Sequence, residues 1–266
     1  MVRLGILGLG NMGEAIVGAL VGSGFNRKDL MAFEIKKERA EVVAKRYRVS
    51  VAANGKDLAE KAQSVLLAVK PQDARVLLES IAPALKKEKL VISIMAGVTT
   101  STILSMAQKP LKVIRVMPNI AAKVGEGALG ITSNDLVTEK ELGEMKKLLS
   151  PIGRIVEVRE DLMDAVTALG GSGPAFLLSF LEAMIDGGVN VGLPRDKATT
   201  LAIQTIKGTI AMLEAEKLHP SLMKEMVTSP GGTTIAGLVH LEENGFKGIV
   251  MKALEKARNR AKELSA

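Results

Sequence analysis

The chain has 266 residues, enough for two domains or one large one with an ample core, and 47% apolar with 24% charged residues is an ordinary globular composition. It contains no cysteine and two histidines, His219 and His240, whose spacing matches no metal motif, so disulfides and thiolate nucleophiles are excluded and no metal is expected. The net charge of +7 arises from Lys and Arg interspersed with Glu, and with no Trp, one Tyr and five Phe there is no stacking platform, so a solvated basic surface is expected rather than a nucleic-acid partner.

The first predicted element is an apolar strand from Val2 to Leu7. It runs into Gly8-Leu9-Gly10-Asn11-Met12-Gly13 and then into a helical stretch from Glu14 to Leu20. Strand before and helix after make this a dinucleotide-binding fingerprint. Gly8 serves the tight turn, Gly10 lets a pyrophosphate approach the backbone, and Gly13 permits close packing of helix on strand. The helix start then offers free N–H groups and a positive dipole end to the phosphates, with Asn11 and Met12 among the candidate cofactor-binding residues. A second apolar run, Leu30 to Phe33, ends at Glu34, about 20 residues beyond the last glycine, where a carboxylate can accept the hydroxyls of an adenosine ribose. Lys36, Lys37 and Arg39 follow and could instead hold a 2′-phosphate, so the sequence points to both NAD and NADP.

Further strands are predicted over Val49 to Val51, Val65 to Val69, Leu90 to Met95, Lys112 to Met117, Gly127 to Ile131 and Arg154 to Val158. Helices are predicted over Lys37 to Arg46, Gln72 to Leu85 and Glu139 to Leu149. This alternation is that of a doubly wound parallel sheet of Rossmann type. Three more strand ends carry unusual loops: Ala68-Val69-Lys70-Pro71, Ala96-Gly97-Val98 and Met117-Pro118-Asn119. Ligands bind such sheets outside the carboxyl ends of the strands, so this shared edge is expected to hold the nicotinamide half of the cofactor, with Asn119 fixing its amide and ribose.

Beyond Asp161 strand patterns cease. Phe176, Leu177, Phe180, Leu181, Met184 and Ile185 form a broad apolar face at helical spacing, with Gly187-Gly188 read as its stop. Pro194 opens another helix, and Leu254 to Leu264 ends the chain as a charged amphipathic one. The boundary is placed near Glu160, giving a dinucleotide-binding domain over residues 1–160 and an all-helical substrate-binding and dimerisation domain over 161–266. Faces this wide are expected to be buried against a second copy, giving a homodimer or an assembly of such dimers. Phe176 to Ile185 is interrupted by Glu182 and falls short of the about 18 apolar residues of a membrane span. The first strand replaces the basic region of a secretory signal, so no membrane is expected and the chain is read as cytoplasmic, which suits its lack of cysteine.

Two glycine-rich loops punctuate the helical half, Gly170-Gly171-Ser172-Gly173-Pro174 and Ser229-Pro230-Gly231-Gly232-Thr233-Thr234-Ile235. Both precede helix patterns. Successive N–H groups in such a loop, backed by a helix start, suit a small carboxylate without a basic side chain.

Taken together, Gly8 to Gly13, Ala68 to Pro71, Arg115-Val116-Met117-Pro118-Asn119, Gly171 to Ala175, Gly192-Leu193-Pro194-Arg195, Ser229 to Thr234 and Leu241-Glu242-Glu243-Asn244-Gly245-Phe246 resemble pyrroline-5-carboxylate reductases, in that family's order and over nearly the whole chain. The resemblance implies an oxidoreductase of amino-acid biosynthesis. A hydride would pass from NADH or NADPH to the C=N bond of 1-pyrroline-5-carboxylate, giving proline, the final step of proline biosynthesis. It further implies that Ser229, Gly231, Gly232 and Thr233 embrace the substrate carboxylate and that Thr234 bonds the ring nitrogen. Lys70, Pro71 and Asn119 would line the nicotinamide side, with Lys70 and Thr234 the candidate catalytic residues. Asn54 would approach the adenosine ribose.

Other readings of the residues are a related imine or β-hydroxyacid reductase and a nucleotide-sensing protein. The first would lean on a catalytic lysine in the helical half, and the predicted helix Pro174 to Asn190 has none. The second would need no second anion loop.

Overall fold

The structure, a computed structural model, describes residues 2–265. It divides into two compact units, one formed by Met1–Ser172 with Lys256–Ala266 and the other by Gly173–Glu255.

The first unit carries one eight-stranded sheet. Its strands are β1 (Val2–Leu7), β2 (Leu30–Phe33), β3 (Ser50–Val51), β4 (Ala62–Leu67), β5 (Leu90–Ser93), β6 (Lys112–Met117), β7 (Gly127–Ser133) and β8 (Gly153–Glu157), in the order β3-β2-β1-β4-β5-β6-β7-β8. The first six are parallel and reproduce the doubly wound order with its switch point between β1 and β4. β7 runs antiparallel to β6, which the expectation of a parallel sheet did not contain. The connection from Pro118 to Glu126 holds only a 3-10 turn, too short for the dozen or so residues of a parallel crossover, so the chain folds back.

The helices are α1 (Asn11–Gly22), α2 (Lys37–Tyr47), α3 (Gly55–Lys61), α4 (Ala74–Ile81), α5 (Thr100–Ala107), α6 (Glu139–Leu149) and α7 (Met163–Val166). Period-two alternation along the strands feeds two cores. Leu4, Ile6, Leu66, Ile92 and Ile114 face Ile16, Val17 and Leu20 of α1 and Leu142, Met145 and Leu149 of α6. Leu7, Val65, Leu67, Val91 and Val113 face Leu58 of α3, Leu78 and Ile81 of α4 and Ile103 of α5. Helix α4 is shorter than the expected Gln72 to Leu85, because Pro71 and Pro83 divert its ends into 3-10 turns.

Strands end before Glu160, as expected, but the packing boundary lies later, at Ser172–Gly173. Val166 of α7 lies against Gly130 of β7, where a Cβ would come within 2.6 Å of it, and Met163 and Ala168 are buried. Residues 160–172 therefore fold with the sheet.

The second unit contains α8 (Gly173–Asn190), α9 (Arg195–Glu216), α10 (Pro220–Met226), α11 (Thr233–Glu243) and the start of α12 (Phe246–Ser265). Helix α8 runs through Gly187-Gly188, which do not stop it. Gly188 lies where a Cβ would be 3.0 Å from that of Ala198 on α9, so its glycine admits the neighbouring helix rather than ending its own. With that continuity the helical run from Glu160 to Asn190 becomes long and apolar enough, by length and composition alone, to cross a membrane. Little of it is buried: Leu177 is 51% and Leu178 61% exposed.

Candidate active site

The carboxyl ends of β1 to β6 gather the predicted cofactor residues along one edge of the first unit. At the end of β1, Gly8 has φ of +99°, and a Cβ there would stand 2.7 Å from the carbonyl oxygen of Ala68 at the end of β4. At Gly13 a Cβ would stand 2.1 Å from the carbonyl oxygen of Gly8. Both glycines are thus required by the chain's own backbone. Gly10 is different: a Cβ there would meet nothing within 4 Å. It is the N-cap of α1 and supplies no side-chain cap, so the N–H groups of the first turn, at Asn11, Met12 and Gly13, have no capping side chain as partner. The residues fit a pyrophosphate.

Glu34, just beyond β2, reaches back to this loop. Its Oε2 accepts the Leu9 N–H at 2.8 Å and its Oε1 accepts the Lys36 N–H at 3.1 Å. The carboxylate keeps further lone pairs for a ribose. Lys36 is exposed. Asn54, past β3, spends its side chain as the N-cap of α3, accepting the Asp57 N–H at 2.8 Å. After β4, Ala68 and Val69 are half-buried, while Lys70 and Pro71 are exposed and Lys70 opens the following 3-10 turn. Beyond β5, Ala96 is followed by Gly97 with φ of +76°.

Asn119 departs from its expected role. It is buried, its Oδ1 accepts from Ala121 N at 3.2 Å and Ala128 N at 3.3 Å, and its Nδ2 donates to the Gly170 carbonyl at 3.0 Å. The side chain is committed to fastening the turn after β6 to the π-helical turn Thr167–Gly171, which leaves one amide hydrogen for a ligand. The first of the two glycine-rich loops is accordingly the last turn of this helical segment, with Gly171 beside Met117, rather than an open anion cradle.

The loop before α11 does keep an open form. Ser229-Pro230-Gly231-Gly232 closes a turn through Gly232 N–H to Ser229 O at 3.1 Å, with Pro230 second and Gly231, at φ of +65°, third. A Cβ at Gly232 would lie 2.3 Å from Ser229 Oγ, which brings that hydroxyl against the backbone at the start of α11. Gly232 is the N-cap and no side chain caps this helix, so Thr233 and Thr234 lie in a first turn whose N–H groups are open to an anion. Thr234 is half-buried, inside the helix rather than at its cap position, so its hydroxyl is free of a capping role.

Sequence reasoning missed the partners of three basic residues, Arg115, Lys89 and Arg39, the last of which it offered only to a 2′-phosphate. Arg115, in mid-strand β6 and almost fully buried, pairs with Glu160 at 2.6 Å, and Glu160 Oε1 also accepts the Thr100 N–H at the start of α5. Lys89, buried before β5, donates to the carbonyls of Ala59 and Glu60 at the end of α3 and of Ala62 at the start of β4. Its burial, with Lys86 nearby, lowers the ammonium pKa below the ordinary lysine value. Arg39 donates to the Leu9 carbonyl and pairs with Glu14. An arginine inside an apolar strand pattern was the one visible signal, since a buried guanidinium requires a partner.

Residues 160–264 match the family described as pyrroline-5-carboxylate reductase dimerisation, and residues 3–97 match NADP oxidoreductase, coenzyme F420-dependent. The chain is 41% identical over 99% of its length to the pyrroline-5-carboxylate reductase of Synechocystis sp., covering 98% of that protein, and 38% identical to that of Aquifex aeolicus over 99% and 97%. Among solved structures, the pyrroline carboxylate reductase of Plasmodium falciparum with NADP bound aligns with a TM-score of 0.90 at 33% identity, over 100% of this chain and 98% of that one. The Coxiella burnetii pyrroline-5-carboxylate reductase gives 0.94 at 30%, over 100% and 99%. With an open glycine turn at each of two helix starts, a doubly wound sheet, and identity above 30% over full length, the chain belongs to the pyrroline-5-carboxylate reductase family.

Proposed function

We propose that the chain reduces the C=N bond of 1-pyrroline-5-carboxylate to give L-proline, with NADH or NADPH as the reductant. The observation that carries this reading is the uncapped start of α11 behind the Ser229–Gly232 turn, an anion cradle built without a basic side chain, in a chain that also holds an open dinucleotide loop. The reduced nicotinamide, when bound, supplies the hydride.

The protein's part is binding and orientation. Ser229, Gly231, Gly232 and Thr233 hold the substrate carboxylate through N–H groups and the Ser229 hydroxyl. Thr234 accepts the N–H of the protonated ring nitrogen, keeping the iminium that takes the hydride aligned. A cyclic imine is basic enough to be partly protonated near neutrality, so no further acid is invoked, and positioning of two reactants lowers a barrier by about 7 kcal/mol or more. Gly8, Gly10, Asn11, Met12 and Gly13 hold the pyrophosphate, Glu34 and Lys36 the adenosine ribose end with Asn54 nearby, and Ala68, Val69, Lys70, Pro71, Ala96 and Gly97 the nicotinamide side. Asn119 acts there by fixing the β6 turn.

The helical unit pairs with a second copy to form a homodimer, which would bury apolar side chains such as Leu178 and Ile249 that it leaves exposed. This second copy, rather than lipid, is the partner proposed for the run Glu160–Asn190. A chain without cysteine needs no oxidising compartment, and the enzyme is placed in the cytoplasm.

The test mixes the purified protein with racemic pyrroline-5-carboxylate and NADH or NADPH and follows the absorbance of the reduced nicotinamide. Turnover with formation of proline is expected. Its absence with both cofactors at saturating substrate overturns the reading.

A further inference from the structure

We propose that Arg39 is a positioning residue for the dinucleotide loop and not a reader of the adenosine phosphate, and that discrimination between NADPH and NADH therefore falls to Lys36 and Lys37. This rests on the cofactor reading above and adds to it the division of labour among three basic residues that look equivalent in the sequence.

Leu9 lies between Gly8 and Gly10, the two residues of the loop with the least intrinsic rigidity. Its peptide groups are gripped from both sides by charged side chains that follow β2. The N–H donates to Glu34 Oε2 at 2.8 Å, and the carbonyl accepts Arg39 Nε at 2.9 Å. The guanidinium is oriented in turn by Glu14, on the first turn of α1, to which its Nη2 donates. Glu14 is fixed by Arg46 at 2.6 Å and approached by the Tyr47 hydroxyl at 3.4 Å. Leu9 itself is fully buried.

The result is a closed circuit from α1 through α2 to the loop. It holds the Leu9–Gly10 peptide in one orientation, and with it the N–H groups that meet the pyrophosphate. That group is common to both dinucleotides. A guanidinium bound on one side by a backbone carbonyl and on another by a carboxylate is directed at the loop. Lys36 and Lys37 are exposed and make no side-chain bond or ion pair among the described residues, so their ammonium groups are available to a 2′-phosphate. Glu34 cannot swing away from that phosphate without releasing the Leu9 N–H.

The experiment measures dissociation constants of the intact protein for NADH and NADPH by nicotinamide fluorescence, beside thermal melts, for wild type, Arg39→Lys, Arg39→Ala and the double variant Lys36→Ala with Lys37→Ala. Arg39→Lys keeps the positive charge and the pairing with Glu14 but loses the planar Nε donor to Leu9. It should weaken both dinucleotides by the same factor, about tenfold for one lost charge-assisted bond, with their ratio unchanged. Arg39→Ala should do the same or more. The double lysine variant should weaken NADPH alone.

A loss confined to NADPH in either Arg39 variant overturns the proposal, as does a lowered melting temperature with both affinities intact, which would make Arg39 merely structural. Failure of the wild type to bind either dinucleotide overturns the cofactor reading itself, and is distinguishable because it precedes any substitution.

Discussion

The two units of this chain satisfy the demand for a hydrophobic core to very different degrees. The first encloses apolar side chains on both faces of its sheet, with Leu4, Ile6, Leu66 and Leu67 wholly inaccessible. In the second, among the described residues, only Ala198, Ala202 and Met223 are buried, while Leu201, Met226 and Ile249 are more than half exposed. A sheet covered by helices on both sides closes its own interior, whereas helices joined by short turns leave stripes that need a further surface. The first unit is a folding module, and the second is half of one.

The most severe way to break this comparison is Phe180→Asp. The Phe180 ring lies 5.9 Å from that of Phe246 and remains 40% exposed, so a charge there would be carried into the proposed dimer interface. An uncompensated buried charge costs about 3–5 kcal/mol, which should abolish the dimer by light scattering and lower activity at least about 100-fold. Binding of NADH by the first unit should survive. A dimer of unchanged mass would remove the second copy as the missing surface.

Ile6→Ala acts on the other side of the contrast. It empties a fully buried site and should destabilise the first unit by about 2–5 kcal/mol, read from the denaturation midpoint. The mass in light scattering should stay that of a dimer. Loss of assembly together with stability would show that the two units do not divide these tasks.

Thr234→Val sharpens the comparison at the level of chemistry. Since Gly232 holds the cap position of α11, removal of the Thr234 hydroxyl should leave the melting temperature unchanged. The lost bond to a charged substrate, about 1.5–3 kcal/mol, should lower kcat/KM roughly 10- to 150-fold with NADH affinity intact. Full activity with a lowered melt would return Thr234 to a structural role.

The smallest expected effect tests how finely the first unit is tuned. Burial alone would raise the Glu141 carboxyl, but the Lys112 ammonium and the N–H and hydroxyl of Thr138 outweigh it and hold the group below its ordinary value. A carboxyl lowered in the fold stabilises above its unfolded titration range, and the contribution disappears as pH falls through the folded value. Lys112→Met should therefore flatten the acid limb of stability by less than about 1 kcal/mol, read as melting temperature against pH. An acid limb identical to wild type would leave Glu141 without this role.

Legibility in the sequence followed the range of the forces involved. The fingerprint from Gly8 to Gly13 and strands such as Lys112–Met117 could be read because turn chemistry and period-two alternation are local. Helices α3 and α5 were not anticipated, being short and carrying only a few buried positions each. Gly187-Gly188 misled because a glycine that admits a neighbouring helix looks, within one segment, like a glycine that ends its own. The roles of Arg39, Lys89, Asn119 and Glu160 depend on partners between 9 and 60 positions away, and no periodicity announces those.

Lys89 has a consequence for the order in which this chain can become structured. The last carbonyls of α3 and the first of β4 are answered by an ammonium that arrives 27 to 30 residues later. During synthesis from the N-terminus, α3 stays open at its end until the chain through Lys89 has emerged. Lys89 stands immediately before β5, so its bonds to the end of α3 and the start of β4 form only with β5 beside β4. The seven-residue α3 is thus an element whose terminus is written elsewhere in the sequence.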